Sequence, residues 1–279
     1  MAIRIDAHQH FWRYDAFRYG WIEPDSPLAR DHLPRHLAPL LRQGGIDATV
    51  AIQARQSREE TNWLLTLSDE FRWVRKVVGW EDLCADDLED RLRKWTMFPK
   101  LAGFRHVIQD EPDRLFMMRP TFVRGVRSAL AAGFTYDILV LPRQHDLLAG
   151  FLDAVGAGRL VLDHGAKPDI RGGSMAGWAA AMKSAAAFPY LYCKLSGLVT
   201  EADHAHWRRE DILPYLDHLL DCFGPDRLMF GSDWPVCRLA GDYASVCGLV
   251  DDFVRRRCPE KADAIWGGNA ARFYGVSPA

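Results

Sequence analysis

The sequence of 279 residues has little that would assign it to a disulfide framework, a membrane or a nucleic acid. Its six cysteines are scattered and form no C-x-x-C pair, so we expect reduced thiols and a cytoplasmic protein. No apolar stretch approaches the ~20 residues of a membrane span, and no early segment resembles a secretion signal. A formal net charge of −2 gives no basic excess. The expected partner is therefore a small molecule, and neither a nucleic acid nor a membrane.

A glycine-rich G-x-G-x-x-G segment after an early strand is also missing, which argues against an open dinucleotide-binding sheet. The chain instead alternates short apolar or β-branched runs with segments of helical spacing. Strands are predicted at about residues 3–9, 47–55, 74–80, 101–108, 134–141, 158–164, 189–197 and 227–234. Eight such units without a Pro-, Ser- or charge-rich linker predict one α/β domain over residues 1–279, a single (β/α)8 TIM barrel. The pattern predicts nothing about the oligomeric state.

The triplet His8-Gln9-His10 ends the first predicted strand. Side chains alternate across a strand, so we expect Asp6, His8 and His10 to point to one face. Two imidazoles on one face can bind a metal ion or donate hydrogen bonds to a substrate oxygen. A hydrogen-bonded histidine pair without chemistry is the alternative.

Two later strands end in residues that fit this pair. His164 follows strand six in VLDHGAKP, and Asp233 follows strand eight in MFGSDWPV. Catalytic residues of a (β/α)8 barrel lie at the carboxyl ends of the strands, and strand eight lies beside strand one. A carboxylate near imidazoles there is equipped to take a proton from water. Taken singly, Asp233 is also explained as a turn cap and His164 as a core histidine.

Other polar strand ends supply candidate substrate-binding residues. Arg105 and His106 are adjacent, so a regular strand directs only one inward, whereas a bulge would bring both to the cavity. Gln53 and Arg55 share one face at the end of strand two. Each of these suits a carbonyl or hydroxyl oxygen of a substrate, or is an exposed polar residue.

Aromatic and loop residues are weaker candidates. Trp12 and Trp80 are candidates to stack on a substrate ring, although an aromatic residue more often serves packing. Lys167 is a further substrate contact or a partner of a loop carboxylate.

Two other histidine pairs are set aside. His204 and His206 repeat the H-x-H spacing within a polar segment, although their loop is able to reach over the barrel mouth. His32 and His36 have helical spacing, but Pro34 lies between them.

Four segments resemble the amidohydrolase superfamily and, within it, the lactonase branch. They are IDAHQHFWRYD, VLDHGAKP, FGSDWPV and GGNAARFYG, and the resemblance extends from residue 3 to about residue 275. H-x-H alone is not specific for this branch, but its combination with DHGAKP and GSDWP is. The resemblance implies a distorted (β/α)8 barrel of the amidohydrolase type, in agreement with the strand count.

The resemblance also implies roles for the candidate residues. His8 and His10 match the family's strand-one pair, His164 its strand-six histidine, and Asp233 its strand-eight base. The chain departs from the family's two-metal pattern, because strand four (LAGFRHVIQ) has no lysine and strand five (FTYDILVLP) has no histidine. At most one divalent ion is implied, zinc by preference, held by His8 and His10 with Asp233. A metal-free site, in which the histidines donate to substrate, is equally open.

The implied activity is hydrolysis of a sugar-acid lactone. Asp233 would take a proton from water, and His10, His164 and Arg105 or a metal ion would stabilise the oxyanion. Among substrates we expect L-fucono-1,4-lactone, on the resemblance alone. Three alternatives remain: a 2-pyrone-4,6-dicarboxylate lactonase using Arg55, Arg105 and Arg143, a zinc-dependent decarboxylase of the same superfamily, and a non-catalytic barrel that binds a sugar acid.

Overall fold

Eight parallel strands, hydrogen-bonded in chain order, form the centre of the computed structural model, which describes residues 2–277. The strands are β1 (Ile5–Gln9), β2 (Ala48–Ile52), β3 (Val74–Gly79), β4 (Leu101–His106), β5 (Thr135–Ile138), β6 (Leu160–Leu162), β7 (Leu191–Leu195) and β8 (Leu228–Phe230). Gln9 forms a parallel bridge with Trp234, and the His10 amide donates to the Trp234 carbonyl at 2.7 Å, so β1 meets the end of β8. The predicted (β/α)8 barrel is confirmed.

Helices cover the outside of the barrel, except for the last one, which packs against the barrel interior. They are α1 (Pro34–Gly44), α2 (Arg58–Glu70), α3 (Leu88–Trp95), α4 (Pro120–Ala131), α5 (Leu148–Val155), α6 (Ala176–Ala186), α7 (Arg209–Phe223), α8 (Tyr243–Arg257) and α9 (Asn269–Tyr274). Because helices pack on the outer face and side chains fill the interior, most strand residues are buried on both faces. None of the helices within residues 2–277 is long and apolar enough to cross a membrane.

The core has two layers. A large cluster packs the helices against the outer face of the sheet, and a smaller one fills the barrel interior, where Val50, Val161 and Met229 meet Phe273 and Tyr274 of α9. The carboxyl ends of the strands remain open for a site.

The strands at the site end earlier than predicted. The expected strands 158–164 and 227–234 reduce to three residues each in β6 and β8. The chain leaves the extended conformation there, since both His164 and Asp233 have φ of 56°. The two residues therefore belong to turns that follow the strands.

Strand β1 is also less regular than predicted. Its pairing with β2 shifts register between Asp6 and Gln9, which interrupts the alternation of side chains. Asp6 accepts hydrogen bonds from Ser232 and from the Tyr243 hydroxyl of α8, whereas His8 faces side chains of the barrel interior. The expectation that Asp6 shares a face with both histidines is wrong for this reason.

The segment between β1 and α1 forms a long loop with a small core of its own. Trp12, Tyr19, Ile22 and Leu28 pack together, and Trp12 and His32 exchange two backbone hydrogen bonds of 2.9 Å. This loop carries the exposed aromatic residues Phe17 and Trp21 to the mouth of the barrel.

Candidate active site

A cavity of about 760 Å³ opens at the carboxyl ends of the strands. His10, Arg105, His164 and Asp233 form its floor, and all are at most 5% exposed. Its walls come from the loops after the strands and include Phe17, Arg18, Trp21, Arg55, Gln56, Asp110, Leu139, Lys167, Thr200, Glu201 and His204. Three of the four predicted catalytic residues thus share one cavity, and the fourth, His8, lies directly beneath it.

The histidine pair is held in a defined orientation. His10 contacts the Ile52 carbonyl through Nδ1 at 2.9 Å, and a carbonyl oxygen only accepts, so Nδ1 carries the proton. The other ring nitrogen of His10, Nε2, lies 3.1 Å from His8 Nε2. Burial lowers the pKa of His8 well below its ordinary value, so its imidazole is neutral at neutral pH.

The Asp233 carboxylate faces three imidazoles. Its Oδ1 lies 3.3 Å from His10 Nε2, 3.7 Å from His8 Nε2 and 3.9 Å from His164 Nε2. The Asp233 amide donates to the His8 carbonyl at 2.8 Å, which fixes the turn after β8 on β1. Burial by itself raises the pKa of Asp233, but His164, His10 and His8 outweigh it and hold that pKa below the ordinary carboxyl value. Asp233 is therefore ionised at neutral pH.

His164 lies in a strained turn. Four consecutive residues, His164 to Lys167, have φ between 50° and 59°, and only Gly165 adopts this conformation without steric cost. The other three cost about 1–2 kcal/mol each. The ring of His164 is held through Nδ1, 2.9 Å from the Ser196 hydroxyl, and burial lowers its pKa to about 4. Strain of this kind concentrates at functional sites.

A layer of buried charges supports the site from below. Lys194 donates to Asp137 at 2.6 Å, lies 2.9 Å from Asp163, and is 3.1 Å from His8 Nδ1. Arg105 donates to the other oxygen of Asp163 at 3.1 Å. Burial alone would raise the pKa of Asp163, but Lys194, His8 and Arg105 hold it well below the ordinary value. Both oxygens of Asp163 are thus engaged by fixed cations.

Lys194, Asp137 and Asp163 are site residues that were not predicted from the sequence. Each is a charged residue in a short, otherwise apolar strand or at its end, in LYCKL, TYDI and LVLD. A buried charge requires a partner. Three charged residues in apolar strands of a predicted barrel therefore indicate buried ion pairs, and this was the signal that the sequence offered.

The donor set around Asp233 fits one metal ion. His8 Nε2, His10 Nε2 and Asp233 Oδ1 are 3.1, 3.3 and 3.7 Å apart. Donors at about 2.0–2.2 Å from a tetrahedral zinc ion lie about 3.4 Å from one another. Two imidazoles and a carboxylate are also the ligand types of catalytic zinc sites.

Some predicted substrate-binding residues line the cavity. Arg55, Arg105 and Lys167 do so, and Lys167 pairs with Glu201 at 3.1 Å. Gln53 is fully buried below the cavity, where its side-chain amide donates to the Arg105 carbonyl at 3.1 Å. Its predicted contact with substrate is replaced by a contact with the backbone of β4.

His106 and Trp80 lie outside the cavity. Strand β4 pairs with β5 in regular register, so Arg105 points inward and His106 outward, and the bulge that would bring both inward does not form. His106 stacks on Phe116 with ring centroids 4.8 Å apart and lies 2.6 Å from Glu111, and Trp80 donates to its Nδ1 at 3.3 Å. These two candidates pack between the barrel and the helices.

Trp12 and two of the remaining histidines are structural. Trp12 is fully buried in the core of the loop after β1 and donates to the Arg30 carbonyl at 3.0 Å. His32 packs edge-on against Trp12 and Trp234, whereas His36 lies on α1 at its first turn.

One histidine that was not predicted to belong to the site does reach the cavity. His204 lines the wall and contacts the Thr200 carbonyl at 2.9 Å, whereas His206 is exposed on the surface. The loop after β7 therefore extends over the mouth of the barrel.

The sequence profile of the amidohydrolase family matches residues 5–276, and the chain belongs to this family. It is 46% identical to the L-fucono-1,5-lactonase of Burkholderia multivorans, covering 99% of this chain and 97% of that protein. The L-fucono-1,5-lactonase of Burkholderia ambifaria is 38% identical over the same shares. A crystal structure of an amidohydrolase from Burkholderia multivorans with bound zinc superposes with a TM-score of 0.95 at 46% identity, over 99% of this chain and 100% of that one. The family predicted from the four motifs is confirmed.

Proposed function

We propose that this protein is a hydrolase that opens sugar-acid lactones by attack of water on the lactone carbonyl. The observation that carries the proposal is the Asp233 carboxylate, which lies 3.3–3.9 Å from three imidazole nitrogens at the floor of an open cavity. The full-length similarity to two L-fucono-1,5-lactonases supports the same reaction class.

Asp233 acts first as a base. Its Oδ1 faces the imidazoles, which leaves Oδ2 to take a proton from water beside the lactone carbonyl. The oxyanion that forms lies against His164, whose Nε2 carries a proton when the Ser196 hydroxyl donates to Nδ1. The nearby Arg105 guanidinium adds positive charge. Protonated Asp233 then returns its proton to the ring oxygen as the carbon–oxygen bond breaks.

His8 and His10 with Asp233 are the residues that would hold a divalent ion, zinc by preference. A bound ion would polarise the lactone carbonyl and favour ionised water. The crystal structure of the similar amidohydrolase contains zinc, which supports this choice. In a metal-free site the same two imidazoles would instead orient substrate through hydrogen bonds.

The substrate we propose is an L-fucono-lactone. A volume of about 760 Å³ is ample for a six-carbon sugar acid. Arg18, Arg55 and Lys167 supply donors for ring hydroxyls, and Phe17 and Trp21 supply an apolar surface for the methyl edge. Both relatives are named for the 1,5-lactone, which has a six-membered ring. We therefore expect the 1,5-lactone to be the preferred substrate, ahead of the 1,4-lactone that was predicted from the sequence.

A pyrone dicarboxylate is less well accommodated. Of the three arginines expected to bind it, Arg143 does not line the cavity and instead donates to the backbone carbonyls of Gln109 and Glu111 at 2.9 and 2.7 Å. Arg105 is already paired with Asp163. Arg55 lines the cavity but lies 3.5 Å from the Glu59 carboxylate, so the three arginines do not form a cluster for two carboxylates.

The test is hydrolysis of a panel of aldonolactones, followed with a pH indicator, by the native protein and by Asp233→Asn. We expect kcat to fall by about 10²- to 10⁴-fold in Asp233→Asn, with little change in KM. Asp110→Asn is the matched control, because this carboxylate lines the same cavity but is outside the imidazole cluster, and it should retain kcat. Carbon dioxide release from an aromatic acid without lactone turnover would indicate the decarboxylase. Sugar-acid binding without any turnover would indicate the non-catalytic barrel. Either result refutes the proposal.

A further inference from the structure

The turn that carries His164 is the most strained backbone segment of the part of the chain that the structure describes. The φ angles of His164, Gly165, Ala166 and Lys167 are 56°, 55°, 59° and 50°. L-residues rarely adopt this left-handed conformation, and runs of it are rarer still. Contacts from elsewhere in the protein must therefore hold the turn in place.

Two side chains from outside the cavity bind this turn at adjacent carbonyls. The indole of Trp178, on α6, donates to the Gly165 carbonyl at 2.7 Å. The imidazole of His145, in the short 3-10 segment before α5, donates through Nε2 to the Ala166 carbonyl at 2.6 Å. Both side chains are buried, at 3% and 8% exposure, and neither lines the large cavity.

We propose that Trp178 and His145 are positioning residues for His164. Their two hydrogen bonds fix the peptide planes on either side of Ala166, within the strained turn that begins at His164, and so hold the backbone from which the His164 side chain leaves. The ring then lies with Nδ1 2.9 Å from the Ser196 hydroxyl and Nε2 3.9 Å from Asp233. Without these donors the strained turn relaxes and the imidazole moves away from Asp233.

The donor function of Trp178 is separable from its packing. Its ring packs against Tyr215 and His218, with centroids 5.2 and 5.3 Å away. Trp178→Phe keeps an aromatic ring there and removes the N–H, whereas His145→Phe removes a donor and His145→Gln retains one. Trp95→Phe is the matched control, because Trp95 is buried and donates from its indole to Glu81 at 2.8 Å, away from the cavity.

The kinetic arm of the test rests on the proposed lactone hydrolysis. We expect kcat to fall about tenfold in Trp178→Phe and in His145→Phe, with KM nearly unchanged, since a misplaced catalytic group lowers the rate of chemistry. His145→Gln should recover most of the loss, and Trp95→Phe should keep the native kcat. Equal losses in Trp178→Phe and Trp95→Phe would mean a general structural role and would overturn the proposal.

A double-mutant cycle identifies the residue through which Trp178 acts. In a His164→Gln background, Trp178→Phe should cause no further loss of kcat, because the positioned group is already absent. An additional tenfold loss in that background would overturn the proposal.

A second readout does not depend on the reaction. The ¹⁵N resonances of the His164 ring should shift in Trp178→Phe and stay unchanged in Trp95→Phe. If the native protein hydrolyses no lactone, the proposed function fails while this arm still decides the positioning role. Unchanged His164 resonances in Trp178→Phe would refute it.

Discussion

Gly197, which follows β7, offers a sharp test of how tightly His164 is placed. Its φ is +63°, and a β-carbon at this position would lie 2.7 Å from Cγ and 3.1 Å from Cβ of His164, and closer still to Nδ1. The ring of His164 therefore rests directly on the glycine backbone. Gly197→Ala should displace that ring, because the neighbouring atom belongs to a residue held by the strained turn.

The size of the effect follows from these distances. Carbon atoms in contact are about 3.5–4.0 Å apart, so the imidazole must move by about 1 Å. A displacement of that size at a catalytic group lowers the rate by about 10²-fold. The left-handed alanine also costs about 1–2 kcal/mol of stability.

Gly45→Ala is the control for the backbone cost alone. Gly45 has the same φ of +63°, ends α1, and has nothing within 4 Å of an added β-carbon. We expect both variants to lose about 1–2 kcal/mol in denaturant unfolding, and only Gly197→Ala to lose kcat in lactone hydrolysis. Equal kcat values for the two variants would refute the placement of His164 on Gly197.

Three further predictions concern charge, metal and pH. Lys194→Met leaves Asp137 and Asp163 without their buried cation and should lower the free energy of unfolding by about 3–5 kcal/mol. A loss below about 1 kcal/mol would contradict the ion pairs. Metal analysis of the purified protein should find roughly one zinc per chain, removed by a chelator and lost in His10→Ala, and full activity without zinc would favour the metal-free site. Burial raises the pKa of Glu60 from 4.5 to about 7, so the folded protein retains a proton that the unfolded chain releases. The free energy of unfolding should therefore fall as the pH rises between these two pKa values. The difference between the free energies of unfolding near pH 5 and near pH 8 should be smaller in Glu60→Gln than in the native protein. An equal difference would contradict the raised pKa of Glu60.

Much of the molecule follows from local patterns in the sequence. Short apolar strands that alternate with helical segments predict a parallel barrel, because such strands need cover on both faces and helices provide it. The carboxyl ends of the strands of such a barrel hold its site, and this rule predicts that His10, His164 and Asp233 lie together. Short motifs around these residues were enough to predict the family.

The tertiary structure decided which way side chains point and which distant residues meet. A register shift in β1 turned Asp6 away from His8, and the regular pairing of β4 with β5 turned His106 out of the cavity, since each depends on pairing with a neighbouring strand. From its place in the sequence Trp12 was a candidate to stack on substrate, but it is buried in the small core of the loop between β1 and α1.

The support of the site is the part that the sequence did not reveal. Lys194 of β7 meets Asp137 of β5 and Asp163 after β6 in the barrel interior, and Trp178 reaches the turn of His164 from α6. These contacts join residues up to 57 positions apart, so no local spacing records them. The sequence by itself determined the barrel and the residues at its mouth, because local periodicity fixes elements and strand ends. Only the closed barrel determined the buried ion pairs and the strained turn, because their partners become neighbours when the strands close around one interior.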